Sequence, residues 1–275
     1  MNPQKIVIFG QYKTGTTGLF TAIRNSLPPN TRTLFEPLRY IPEASDNQRW
    51  VLAKTIIKEP GHLEPVDYQS FMGFERRICI TRDPRDWLIS ATLFNCQLKE
   101  SIFANHEAMA WVMDYLQRKE DSPHSLPLIT LLEYILSAPP TLSIEDFGNR
   151  AQQRHAFCTA FQNRLGHNVC PVRYEDFVDG HLETIEDYLG FQLPEHPQVD
   201  IAYSHVPRTC AYGNWKDWLT EEDTAFFKPF FAEYIHDHGY DPDWSVNSSP
   251  TIDPAHGSQY VSRVVQMKKE QLACE

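Results

Sequence analysis

The stretch that most constrains the fold is "KIVIFGQYKTGTTGLFTAI", residues 5–23. Its opening, "KIVIFG" (5–10), reads as a buried strand. Leu19, Phe20, Ile23 and Leu27 then recur at helical spacing until Pro28 and Pro29 end the pattern. A strand that enters a helix through a short loop rich in glycine and threonine is a βα unit. Such units build parallel sheets covered by helices.

The remaining chain repeats that alternation. "TRTLFE" (31–36), "VLAKTII" (51–57), "RRICIT" (76–81) and "NVCPVRYEDF" (168–177) read as strands, and Pro171 points to an edge for the last. "DPRDWLISATLF" (83–94) reads as a helix with Asp83 at the N-cap and Pro84 in the first helical position. Residues 101–165 are expected to be mostly helical, with a surface loop at 137–149, and a further helix starts at Thr220. The expected fold class is α/β: a mainly parallel central sheet flanked by helices, with a P-loop-like phosphate-binding loop after the first strand. One domain is expected over residues 1–244, followed by a loosely held polar tail at 245–275 that ends in a short helix. Ligands of such sheets sit beyond the carboxyl ends of the strands, where the first loop, Glu36, Arg82 and Tyr174 fall.

Composition narrows the function. A net charge of −11 over 275 residues argues against a nucleic-acid partner, which requires basic surface. No segment has the length and apolarity of a membrane span or a signal peptide, so a cytoplasmic location is expected. The six cysteines form no C-x-x-C pair, and the eleven histidines are scattered, so neither a disulfide framework nor a metal site is expected.

The loop itself carries the chemistry. Gly10 and Gly15 stand at the spacing of G-x-x-x-x-G-K-[ST], but Thr16 occupies the lysine position and the lysine lies three residues earlier, at Lys13. Backbone N–H groups between a strand and a helix still make an anion site. With the cation displaced to Lys13, a single phosphate in the cradle fits better than a nucleoside triphosphate.

At this point "YKTGTT" resembles the "YPKSGTTW" loop of PAPS-dependent sulfotransferases, in which it grips the 5′-phosphosulfate of 3′-phosphoadenosine 5′-phosphosulfate (PAPS). The resemblance implies that Lys13, Thr14, Gly15, Thr16 and Thr17 bind that group, with Gly18 in place of a frequent tryptophan. "RICITRDPRDWLISATLF" is similar to the family's 3′-phosphate segment, which implies Arg82 and Ser90 as ligands. "RYEDF" resembles "RYEDL" and carries Tyr174 over as an adenine contact; "RTCAYGNWKDWLT" resembles "RKGxxGDWKxxFT" and implies Arg208 as a further 3′-phosphate ligand. Thr209 and Cys210 replace that motif's lysine and glycine.

The implied activity is transfer of a sulfuryl group from PAPS to a hydroxyl or amine of a small-molecule or carbohydrate acceptor, releasing 3′-phosphoadenosine 5′-phosphate (PAP), with no metal. Cytosolic members take the acceptor proton with the histidine of a "KTH" segment. Here that segment is Lys54, Thr55 and Ile56, and isoleucine takes no proton. Glu36, after the second strand, is the expected base, as in some bacterial and carbohydrate-acting sulfotransferases. His62 is the runner-up, Lys13 stabilises the leaving phosphate and Lys54 assists the sulfuryl oxygens. Trp111, Tyr115, Phe147 and Tyr203 are candidate lining for the acceptor, or plain core. The rival readings are a magnesium-dependent P-loop kinase or hydrolase and a nucleotide-binding protein without catalysis.

Overall fold

The computed structural model describes residues 3–58, 64–194 and 211–274. Among them five strands, β1 (Lys5–Gly10), β2 (Arg32–Phe35), β3 (Val51–Ile56), β4 (Arg76–Thr81) and β5 (Cys170–Arg173), form one sheet in the order β2-β3-β1-β4-β5. Every pairing is parallel, as the alternating pattern requires. The helices are α1 (Thr16–Ser26), α2 (Pro84–Asn95), α3 (Glu100–Phe103), α4 (His106–Asp121), α5 (Leu128–Ser137), α6 (Ile144–Leu165), α7 (Tyr174–Asp179), α8 (Glu183–Leu189), α9 (Trp215–Trp218), α10 (Glu221–Asp237) and α11 (Ser258–Cys274). No described helix is long and apolar enough to cross a membrane. The chain divides into two compact units, Met1–Arg82 with Ala156–Ser204 and Asp83–His155 with His205–Glu275.

The first unit holds the sheet, and the strand period of two explains its layers. Ile6 and Ile8 join Leu52, Ile78 and Ile80 beneath Leu19, Phe20 and Ile23 of α1 and Ile185 and Leu189 of α8. Their neighbours Val7 and Phe9 join Val51, Ala53 and Cys79 against Phe71, Phe74 and Phe161 on the other face. Both faces of β1 are buried, which is why its sequence is apolar throughout rather than alternating. β1 pairs with β3 on one side and β4 on the other. The loop after β1 therefore opens where the strand order reverses, the usual ligand position in such sheets.

Two boundaries differ from the sequence reading. The last strand ends at Arg173, because Tyr174 begins α7, whose first turn carries Glu175 and Asp176 and whose C-cap is the left-handed Gly180. Acids at a helix start favour the helical macrodipole over continuation of an edge strand. The loop expected at 137–149 ends at Ser143, whose Oγ accepts from Asp146 N at 3.0 Å and so starts α6.

The second unit is helical among its described residues. Asp83 and Pro84 start α2 as expected, Asp83 accepting from Arg85 N at 2.9 Å. Asp223, fully buried, accepts from Leu128 N, Ile129 N, Thr220 N and Thr220 Oγ1 at 2.8–2.9 Å. One carboxylate thus caps α5 and closes the capping box of α10. In the expected tail, α11 runs for 17 residues and buries Tyr260, Val261, Val264 and Val265. Those four recur at helical spacing, a signal masked in the sequence by the polar residues between them.

Candidate functional site

The site is built on the loop from Gly10 to Thr16. A Cβ at Gly10 would lie 2.6 Å from Thr16 Cγ2 and 2.7 Å from Ile80 Cγ2, so the strand's last residue has room for hydrogen alone. Thr14 Oγ1 donates to the Gln11 carbonyl at 2.7 Å and closes the turn. Lys13 and Gly15 both take left-handed backbone angles, φ 66° and 87°. Gly15 is the N-cap of α1, and its carbonyl accepts from Leu19 N at 3.1 Å. The N–H groups of the helix's first turn lack intrahelical acceptors by geometry, and the macrodipole makes that end positive.

Side chains from the neighbouring strand ends close on this loop. Tyr174 packs so tightly on Gly15 that a Cβ there would collide with its Cδ2. Arg82, largely buried, lays its guanidinium over the Tyr174 ring at 4.4 Å and donates to the Lys13 carbonyl at 3.0 Å. Burial, and after it the charge of Arg82, push the Lys13 ammonium down to about 7. Two cations, an aromatic face and a helix N-terminus thus converge on one turn. Gly18, where the resembled family often has tryptophan, faces Phe177: a Cβ would stand 3.2 Å from its ring.

A second cluster adjoins the first turn of α1. Lys54, on β3, donates from Nζ to Glu36 Oε1 at 2.5 Å and to Thr17 Oγ1 at 3.0 Å, and lies 3.9 Å over the Phe35 ring. Glu36 is left-handed at φ 53°, and its N–H donates to the Lys54 carbonyl at 2.7 Å. Its side chain is 47% exposed whereas that of Lys54 is 2% exposed. Among the described residues no group of three or more His, Cys, Asp and Glu side chains is placed to hold a metal.

Of the residues singled out in the sequence, Lys13, Gly15, Arg82 and Tyr174 come together, and Glu36 joins the first turn of α1 through Lys54 and Thr17. Thr14 and Thr16 are buried in the turn itself. Ser90 lies on α2, in the second unit. Arg208, His62 and Tyr203 lie outside the described residues. Trp111 stacks on Tyr134 at 3.8 Å, Tyr115 is buried, and Phe147 stacks near Trp87, so these three are packed within the helical unit. The ion pair of Lys54 with Glu36 was not foreseen. Its signal was a lysine inside the apolar strand "VLAKTII", a charge that must find a counter-charge once buried.

The residues fit an anionic group of the phosphate or sulfate class: a glycine cradle too tight for a Cβ, a helix N-terminus, and two cations close enough that the charge of one lowers the pKa of the other. No family model and no curated protein matches the sequence. Among solved structures, the chain is similar to mouse sulfotransferase SULT7A1 complexed with PAP, at 17% identity over 85% of each chain with a TM-score of 0.47. It is also similar to retinol dehydratase in a complex with retinol and PAP, at 12% identity over 86% of this chain and 82% of that one, TM-score 0.43.

Proposed function

We propose that the chain is a sulfotransferase that moves a sulfuryl group from PAPS to a hydroxyl or amine of a small-molecule or carbohydrate acceptor. The observation that carries this reading is the convergence of Lys13, Arg82 and Tyr174 on Gly15. A P-loop lysine after the second glycine would serve a triphosphate; here Thr16 fills that place and the cations stand at the loop's entry and at the end of β4.

When bound, PAPS supplies an activated sulfuryl group on a phosphate leaving group. In this reading the loop's N–H groups and Lys13 hold the 5′ end, and Lys13 stabilises charge as it gathers on the departing phosphate. Arg82 offers a planar fork of donors to the 3′-phosphate. Tyr174 presents a ring to the adenine. Glu36 takes the proton of the acceptor, a contribution of roughly 10²–10⁴-fold in such reactions. A sulfuryl group carries less charge than a phosphoryl group, so these side chains can do the work without a divalent cation.

The test is product formation from radiolabelled PAPS with a panel of phenols, alcohols, amines and sugars, in buffer containing EDTA. Transfer by the wild type, lost in Lys13→Ala, supports the reading. Transfer from the γ-phosphate of ATP, dependent on magnesium, would replace it with the kinase reading. Tight PAP binding without transfer to any acceptor or water would leave a binding protein.

A further inference from the structure

Lys54 is 1% exposed, so its ammonium has been taken almost wholly out of water. A charge so placed persists where a counter-charge and further acceptors surround it. Here they are Glu36 Oε1 at 2.5 Å and Thr17 Oγ1 at 3.0 Å. The same residue also fixes the backbone of Glu36, accepting its N–H at 2.7 Å and so holding it at a left-handed φ of 53°. A glutamate that merely capped a surface turn before Pro37 would have no need of a buried lysine. Glu36 is gripped at backbone and at one carboxylate oxygen, yet its side chain remains 47% exposed to an incoming group. Thr17 belongs to the first turn of α1, the turn that borders the anion loop. One ammonium therefore joins the end of β2 to the start of α1.

We propose that Lys54 is a positioning residue: through its shared bonds to Glu36 and Thr17 it sets the carboxylate of Glu36 at a fixed place relative to the anion loop, ready to take the acceptor's proton. The inference rests on the sulfotransferase reading and on Glu36 as base. It differs from a direct role of Lys54 on the sulfuryl oxygens, in which its loss and that of Glu36 would act separately.

Water serves as the acceptor for the test, so no natural acceptor need be known. Its oxygen bonds to sulfur, the bond from sulfur to the phosphate oxygen breaks, PAP leaves, and Glu36 receives the proton. Sulfate release and PAP affinity by calorimetry are measured for the wild type, Lys54→Met, Lys54→Arg, Glu36→Gln and the double variant Glu36→Gln/Lys54→Met. Lys54→Met lowers kcat by roughly 10²-fold while PAP affinity stays within about threefold. The double variant is no slower than the slower single one, because Lys54 acts through Glu36. Lys54→Arg, which can still donate to both oxygens, restores most of the rate. Effects that multiply, or a loss expressed wholly in PAP affinity, would overturn the proposal.

Should Lys54→Met not fold, Lys54→Gln takes its place, since it removes the ammonium and keeps a polar side chain. It slows the wild-type background and adds nothing to the slowing by Glu36→Gln; effects that multiply would overturn the proposal. Failure of the wild type to bind PAP would instead sink the sulfotransferase reading. The tie itself is then read in urea unfolding: Glu36→Gln and Lys54→Met are non-additive if Lys54 holds Glu36, and additive if it does not.

Discussion

Gly15 and Lys13 each hold the loop in a state that one substitution would break. Gly15 combines a φ of 87° with a Tyr174 ring where its side chain would be. Gly15→Ala therefore costs about 1–2 kcal/mol in backbone strain alone, and more from the displaced ring. Urea unfolding will register that loss, and PAP affinity will fall with it. Lys13 makes a pH prediction of definite sign. Burial and then Arg82 bring it from 10.5 to about 7, so between those values the unfolded chain holds a proton that the folded chain has released. The stability contribution of this group accordingly rises with pH through that window. An anion in the loop reverses the balance by favouring the ammonium, so PAP binding takes up a proton and weakens as pH rises past about 7. Calorimetry in two buffers of different ionisation enthalpy measures that uptake; pH-independent affinity from 6 to 9 would remove Lys13 from the site.

Among the elements, the sheet was the most legible part of the sequence and the helix boundaries the least. β1, β3 and β4 announce themselves as apolar runs because both of their faces are covered. Glycine spacing placed the loop, and Asp83 with Pro84 placed the start of α2. Tyr174 was misplaced in a strand because "VRY" satisfies strand propensity while the acids after it, which turn the chain helical, act through the backbone dipole. The lysine inside "VLAKTII" signals a buried charge that needs a partner, but that the partner is Glu36 depends on strand register, Phe35 opposite Lys54. Two predictions belong here. Asp223→Ala strips four donors of their acceptor inside the helical unit, a loss of about 3 kcal/mol or more in urea unfolding. Deleting residues 258–275 uncovers the partners of Tyr260, Val261, Val264 and Val265, each worth roughly 1.5–3 kcal/mol when buried. A truncated chain as stable as the full one would show that α11 is dispensable.

Across the whole molecule, an acidic chain still places three of its 25 lysines and arginines at one end of the sheet. Against a net charge of −11, Lys13, Lys54 and Arg82 all stand at the carboxyl ends of parallel strands or the loop that follows one. That placement makes a local anion site compatible with an acidic whole. On the reading proposed above, this site takes a 3′-phosphorylated adenosine nucleotide without a divalent cation. Thermal unfolding with PAP in EDTA, set against ATP with magnesium, tests it most directly. A ligand at 100 times its dissociation constant adds about 2.7 kcal/mol, enough to raise the midpoint by several degrees. PAP is expected to give that rise, and Arg82→Ala to lose it. A rise with ATP and magnesium alone would contradict the reading.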